Sequence, residues 1–270
     1  MAKPRTLLIT GYGINCDDET RYAFERAGAV AEIVHVNDLI ASPARMKDFQ
    51  VLVFPGGFSY GDDTGSGKAL SNRIKNNLSQ ELADFISRDT LVLGICNGFQ
   101  VMVSLGLVPA LKQPMGEPEV ALEHNRTHRY QCRWVDLRVE KNANCVFTRG
   151  MDTLHIPVAH GEGNFFAPAD TLKVIEDTGL ITMRYVMPGG APAQGQFPFN
   201  PNGSLNDIAA LCDTTGRIMG MMPHPERGMF FNQRDDWTYL KEKYTREERE
   251  IPVESDGIFI FKNAVNYFSN

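Results

Sequence analysis

In the first half of the chain, short apolar runs alternate with segments whose apolar residues recur at helical spacing. Residues 7–10 read as a buried strand broken by Gly11 and Gly13. Residues 17–27 read as a helix, with Asp17, Asp18 and Glu19 in the first turn and Gly28 at the end. Residues 32–36 and 51–54 read as strands, the second stopping at Pro55-Gly56-Gly57. Residues 78–87 place Leu78, Leu82, Phe85 and Ile86 on one helical face. Residues 91–95 form another apolar strand, which runs at once into a helical pattern over 97–105. Strands apolar throughout and joined by helices predict an α/β fold with an open, mostly parallel sheet flanked by helices. Ligands of such sheets bind beyond the carboxyl ends of the strands, where the glycine-rich turns after Phe54 and Ile95 fall.

The second half reads as an additional β-rich portion. Residues 130–139, 156–159, 172–175, 181–185, 208–212 and 218–222 have the pattern of short strands. Residues 187–204, rich in Pro, Gly and Asn, predict a long ordered loop. Asp256 is placed to cap a last helix that carries Ile258, Phe261, Val265 and Phe268 at core spacing. With no repeat and no linker, residues 1–270 are expected to form a single domain with a charged insertion at about 229–255. The usual meaning of such a charged run is a solvated helix face.

Composition narrows the function classes. The chain has 43% hydrophobic and 22% charged residues, which is enough apolar content for a core without disulfides or structural metal. The net charge of −6 argues against nucleic acid or an anionic membrane as the main partner. No secretory signal is expected, and a cytoplasmic location fits. The five cysteines are scattered and form no CxxC pair, so neither a disulfide framework nor a metal site is predicted.

Most cysteines are small buried hydrophobes. Cys96 stands apart because Gly94-Ile95-Cys96-Asn97-Gly98 puts it between a buried strand and a helix, with glycines two positions to either side. That is the layout of a nucleophile elbow, with sulfur in place of oxygen. The helix N-terminus favours a thiolate, and the Asn97 N–H points to where an oxyanion would form. Cys16 also precedes a helix but lacks the paired glycines, and it reads as structural. The second piece is His224-Pro225-Glu226, just after a strand. A proline keeps the preceding residue extended, and residues two apart in an extended chain share a side. Glu226 can then orient the His224 ring while the other ring nitrogen faces a nucleophile. The third piece is the turn at residues 55–62, where Gly57 N–H is a candidate second oxyanion donor. Residues 65–69 look like a phosphate loop but fail it, because Asp62 and Ala69 stand where glycine and Ser/Thr are needed.

Together the three pieces resemble the class I (triad) glutamine amidotransferases. Residues 55–62, 125–134, 157–163, 197–204 and 222–227 further resemble the glutaminase of phosphoribosylformylglycinamidine synthase, as a subunit or as a domain of the single-chain form. Leu205 and Tyr130 depart from that pattern, where proline and phenylalanine are usual. The stretch 229–255 is longer than in compact subunits. The resemblance implies hydrolysis of L-glutamine to glutamate by Cys96, His224 and Glu226, with Gly57 and Asn97 as oxyanion donors. Gln100 is a weaker candidate for holding glutamine, balanced against a plain helix-surface role.

The resemblance also implies that ammonia passes to a synthetase subunit making formylglycinamidine ribonucleotide, possibly with a small adaptor subunit. ATP and magnesium are expected in that partner, and no cofactor in this chain. His160 and Glu162 are expected at the interface or the tunnel mouth. The alternatives are a glutaminase for a GMP or CTP synthetase, a non-catalytic binding subunit on the same fold, or a γ-glutamyl peptide hydrolase.

Overall fold

The computed structural model describes residues 3–61 and 65–269. Asp62, the expected end of the glycine-rich turn, lies outside them, as do residues 1–2. The first half contains β1 (Arg5–Thr10), α1 (Asp17–Ala27), β2 (Val30–His35), α2 (Val36–Ala41), β3 (Val51–Phe54), α3 (Lys68–Asn77), α4 (Ser79–Ser87), β4 (Leu91–Ile95) and α5 (Asn97–Ser104). Then follow β5 (Ala121–His124), β6 (Gln131–Val139), β7 (Thr153–His160), β8 (Glu162–Phe166), α6 (Ala169–Asp177), β9 (Ile181–Val186), β10 (Ile208–Cys212), β11 (Ile218–Met221), α7 (Trp237–Arg246) and α8 (Ile258–Tyr267).

Nine strands form one sheet in the order β2-β1-β3-β4-β11-β10-β9-β6-β7. The five from β2 to β11 run parallel, and the remaining four continue antiparallel. A small antiparallel pair, β5 with β8, stands apart. Because β2 and β3 flank β1 on opposite sides, the carboxyl ends of β1 and β3 form a switch point, where open α/β sheets leave a crevice. The turn after β1 and the turn after β3 are laced together there. Phe58 N–H donates to Gly13 O at 2.7 Å, and Cys16 N–H donates to Gly56 O at 3.2 Å.

The apolar strands form the core as their pattern predicts, with every residue of β3 and β4 buried. Helix α8 carries its apolar face onto α1, where the Phe24 and Phe261 rings meet edge to face at 5.0 Å. Helix α5 lies directly on the sheet. A Cβ on Gly98 would come within 1.8 Å of Phe54 O, and one on Gly220 within 2.1 Å of the Phe99 ring, so both positions require glycine.

Several expectations change. The run 172–175 is part of helix α6, not a strand. Only Ile175 in that helix is buried, Val174 is exposed, and Leu172 N–H closes a helical bond to Pro168 O at 2.8 Å. A four-residue apolar run carries no period of its own, and the flanking Pro168 and Asp170 are start signals of a helix. Asp256 does not cap the last helix with its side chain. Its Oδ2 accepts instead from His155 N–H at 2.7 Å, and Gly257 takes the cap position. Helices α2 and α3 and the pair β5–β8 had no clear periodic signal. Within the charged stretch, α7 buries none of its residues, which is the solvated face its charges predict.

Candidate active site

Cys96 leaves the end of β4 in a conformation with φ 51° and ψ −107°. Positive φ is costly for a residue with a side chain, and such strain clusters at functional sites. The surroundings explain how the turn is held. A Cβ on Gly94 would meet the Met102 sulfur at 2.3 Å, and Gly98 is pressed on β3. Cys96 N–H donates to Met221 O at 2.8 Å, which ties the elbow to the neighbouring strand.

That neighbour is β11, whose Met221 pairs with Ile95 in parallel register. Adjacent parallel strands therefore end side by side, one delivering Cys96 and the other His224. His224 N–H is further fixed to Pro157 O at 2.8 Å. The His224 Nδ1 and Glu226 Oε1 lie 2.5 Å apart, and both side chains are buried. The contact forms differently from the extended-chain expectation. His224 takes the cap position with φ −103° and ψ 89°, and Glu226 sits in a short 3-10 turn over Pro225–Arg227 that folds the carboxylate back onto the ring.

Burial pushes the His224 pKa down. The charges of Glu226 and Cys96, with the nearby Cys16 and Cys96 thiols, outweigh it and hold the ring well above the usual histidine range. The Cys96 thiol donates to Ala159 O at 3.6 Å, and His224 Nε2 closes no hydrogen bond among the described residues. Catalytic hydrogen bonds are often loose before substrate binds.

Two backbone N–H groups, of Gly57 and Asn97, lie in the turns after β3 and β4. The Asn97 N–H opens α5, where the first amides of a helix have no intrahelical acceptor. The bridge between Ile14 and Gly57 is closed by Asn15 N–H to Gly56 O and Phe58 N–H to Gly13 O. In that pattern the paired residues point their own N–H groups away from each other, so Gly57 N–H stays unused by the bridge. Its φ of 154° and a Cβ clearance of only 2.6 Å to Gly13 O both favour glycine. The Asn97 side chain joins the two turns: its Oδ1 accepts from Ser59 N–H at 3.1 Å and its Nδ2 donates to Gln100 Oε1 at 2.9 Å.

Gln100 is buried rather than on a helix surface, and its Nε2 donates to Glu162 O at 2.7 Å. It also lines a cleft of about 720 Å³ with Ser66, Lys68, His124, Arg126 and Glu162. Cys96 does not line this cleft. It lies one helical turn away and keeps 5% of its surface exposed. Tyr130 is half exposed, within the electrostatic reach of Cys96 and His224, with its ring 6.2 Å from Phe58.

His160 is buried, and burial followed by the nearby His224 pushes its pKa down to about 3. Asn125 spends its Nδ2 on Arg129 O and His160 O, so its Oδ1 must accept from His160 Nδ1–H at 3.0 Å. The Nε2 of His160 is therefore a buried acceptor. The Asn-rich loop is an anchor for this region: Asn202 Nδ2 donates to Gly163 O and Tyr185 Oη, and Ser204 Oγ accepts from Phe165 N–H. These residues have no periodic signal, and only the family resemblance over 197–204 points to them. Cys16, read from the sequence as structural, and Arg227, part of the 222–227 motif, lie beside the His224–Glu226 pair. The donor atoms of Cys16, His224 and Glu226 all lie within 4.8 Å of one another.

The structure thus brings a buried thiol at an elbow and a buried imidazole–carboxylate pair to adjacent strand ends. A model of the CobB/CobQ-like glutamine amidotransferase domain matches residues 3–268, and the chain belongs to that family. It is 49% identical over 267 residues to a Methanococcus maripaludis protein named phosphoribosylformylglycinamidine synthase subunit PurQ, covering 98% of each chain. A Dehalococcoides mccartyi protein of the same name is 40% identical over 268 residues, covering 99% of this chain and 98% of the relative. Among solved structures, PurLQS from Thermotoga maritima aligns with a TM-score of 0.71 at 27% identity, covering 99% of this chain and all of the matched one.

Proposed function

We propose that this chain is the glutaminase subunit of a phosphoribosylformylglycinamidine synthase, and that it hydrolyses L-glutamine to glutamate and ammonia for de novo purine synthesis. The observation that carries the reading is the delivery of Cys96 and His224 from adjacent strand ends, with Glu226 on the far side of the imidazole. Full-length similarity to proteins named as the PurQ subunit supports the choice of synthetase.

Cys96 attacks the γ-amide carbon of glutamine, and the charge that develops on the carbonyl oxygen is taken by the Gly57 and Asn97 N–H groups. His224, kept protonated by its neighbours, gives its proton to the departing nitrogen. The C–N bond breaks, leaving ammonia and a γ-glutamyl thioester on Cys96. His224 then takes a proton from water as the water attacks the thioester, releasing glutamate and restoring the thiolate. Glu226 fixes the ring orientation through both halves.

The cleft beside Gln100 has room for an amino acid, and Lys68 and Arg126 with Glu162 offer charges matching its zwitterionic head. Gln100, already tied to Asn97 and Glu162 O, has one Nε2 hydrogen left for the substrate. The ammonia is used by a separate synthetase subunit, and ATP and magnesium belong to that partner's chemistry. We read the chain as one cytoplasmic domain, since a single sheet takes strands from both halves, with residues 229–255 as an insertion.

The test is glutamate release by the reconstituted complex with the synthetase. Wild type should use glutamine. The Cys96→Ala complex should make product from added ammonia but not from glutamine. Glutamine-dependent synthesis that survives Cys96→Ala overturns the mechanism, and failure of any synthetase product to depend on this chain overturns the partner.

A further inference from the structure

We infer that Cys16 is a positioning residue of the glutaminase triad: its sulfur, anchored by Arg227, braces the His224 ring so that the imidazole stays aligned between Glu226 and Cys96. The inference rests on the reading of Cys96, His224 and Glu226 given above. Cys16 is the last residue before α1, and its backbone is fastened to the turn after β3 through Gly56 O. Its thiol is buried, donates to Asn15 Oδ1 at 3.2 Å and accepts from Arg227 Nη2 at 2.9 Å. Sulfur and ring pack together over Gly56, with their donor atoms within 4.8 Å of each other. A Cβ there would sit 2.8 Å from His224 Cε1 and 3.1 Å from Cys16 Sγ. Arg227 is itself steered by Glu19 at 3.9 Å and Glu226 at 3.8 Å.

The arrangement puts two thiols on one imidazole, and only one can be the nucleophile. Burial, opposed by the nearby His224, pushes the Cys16 thiol up, which disfavours a reactive thiolate there. Cys16 also sits outside the strained elbow that lifts Cys96 toward the two oxyanion amides. The Cys16, His224 and Glu226 donors are close enough to hold a soft cation, but the Arg227 guanidinium already places a positive charge on the sulfur. A holding role for Cys16 is consistent with that occupant.

The charged and titratable groups facing His224 are Glu226 and Arg227 on its own turn, Cys16 before α1, Cys96 before α5, His160 at the end of β7 and Tyr130 before β6. Of these, Cys16 holds its sulfur within 4.8 Å of the His224 and Glu226 donor atoms, where it favours the protonated ring. Its loss should let the ring deprotonate at lower pH, moving the high-pH limb of the kcat profile downward.

The test uses the reconstituted complex, with glutaminase kcat, KM for glutamine and the pH profile measured for Cys16→Ala and Cys16→Ser. Cys16→Ala should lower kcat about tenfold with KM within about twofold, and move the high-pH limb down. Cys16→Ser keeps a hydrogen-bonding atom of similar size and should recover part of the rate, leaving about a threefold loss with a smaller shift in the same direction. If the alanine variant does not fold, the serine variant decides alone. Wild-type kcat and an unmoved limb in a folded variant overturn the inference. A wild-type complex without glutaminase activity, or an active Cys96→Ala complex, would instead sink the reading of the site on which it rests.

Discussion

Two histidines in this molecule pair with acidic residues, in very different surroundings. His224 is sealed in the interior with Glu226 on one nitrogen, and the other nitrogen faces the Cys96 thiol. His155 lies in the outer antiparallel part of the sheet. Its Nδ1 meets Asp136 and its Nε2 meets Asp235, each at 2.8 Å, and its ring stacks on Trp134. Asp235 belongs to the charged stretch that the compact pattern lacks, so His155 acts as a clasp holding that stretch to β6 and β7. Both nitrogens of the clasp are occupied and one carboxylate is half exposed to water. The inner pair keeps one nitrogen without a hydrogen-bond partner among the described residues, buried near the Cys96 thiol. Carboxylate–histidine pairing alone therefore says little about catalysis. What separates the two is burial and an unspent ring nitrogen.

The comparison breaks most sharply at the thiol. Cys96→Ala should cut glutamine hydrolysis by about a thousandfold or more while leaving ammonia-dependent synthesis by the complex intact. Glu226→Gln should lower glutaminase kcat by about 10²- to 10⁴-fold, because the ring loses its orienting partner and tautomer. Steady-state kinetics on folded protein checks both. Gly98→Ala should destabilise the chain by about 3 kcal/mol, since the new methyl meets backbone oxygen that cannot move aside. Thermal melts would read this as a lowered Tm, and an unchanged Tm would mean that α5 is not pressed on the sheet as described.

The smallest effect is expected at the clasp. His155→Ala should cost below about 1 kcal/mol, because the Asp235 partner is largely solvated. Its pH dependence has a definite sign. Burial opposes the Asp136 and Asp235 hydrogen bonds, but the pairing wins and raises the folded His155 pKa. The clasp contribution is then complete below the unfolded value of about 6.5 and is lost as pH rises through the higher folded value. Melts of wild type and His155→Ala should converge at alkaline pH; a gap that widens with rising pH would contradict the clasp.

The parallel half was legible in the sequence because its strands are apolar on both faces and end at glycine. The triad was legible for a related reason. Cys96 and His224 follow directly on strands that can be recognised, so the fold rule about carboxyl ends brings them together. What escaped was structure with no period. The run around Leu172 and Ile175 was too short to separate strand from helix, and β5 and β8 carry mixed polar and apolar residues. The polar anchors Asn125, Asn202 and Ser204 act through hydrogen bonds between loops, and no spacing rule encodes such contacts. Cys16 was set aside for lacking an elbow. Its proximity to His224 arises only when the turns after β1 and β3 are laced side by side.

The most direct measurement is mass spectrometry of the acid-quenched complex during glutamine turnover. One γ-glutamyl group should be found in thioester linkage on the peptide carrying Cys96, and it should be absent from the Cys96→Ala complex. Active turnover with the adduct on another residue, or with the same adduct in the alanine variant, would contradict the account.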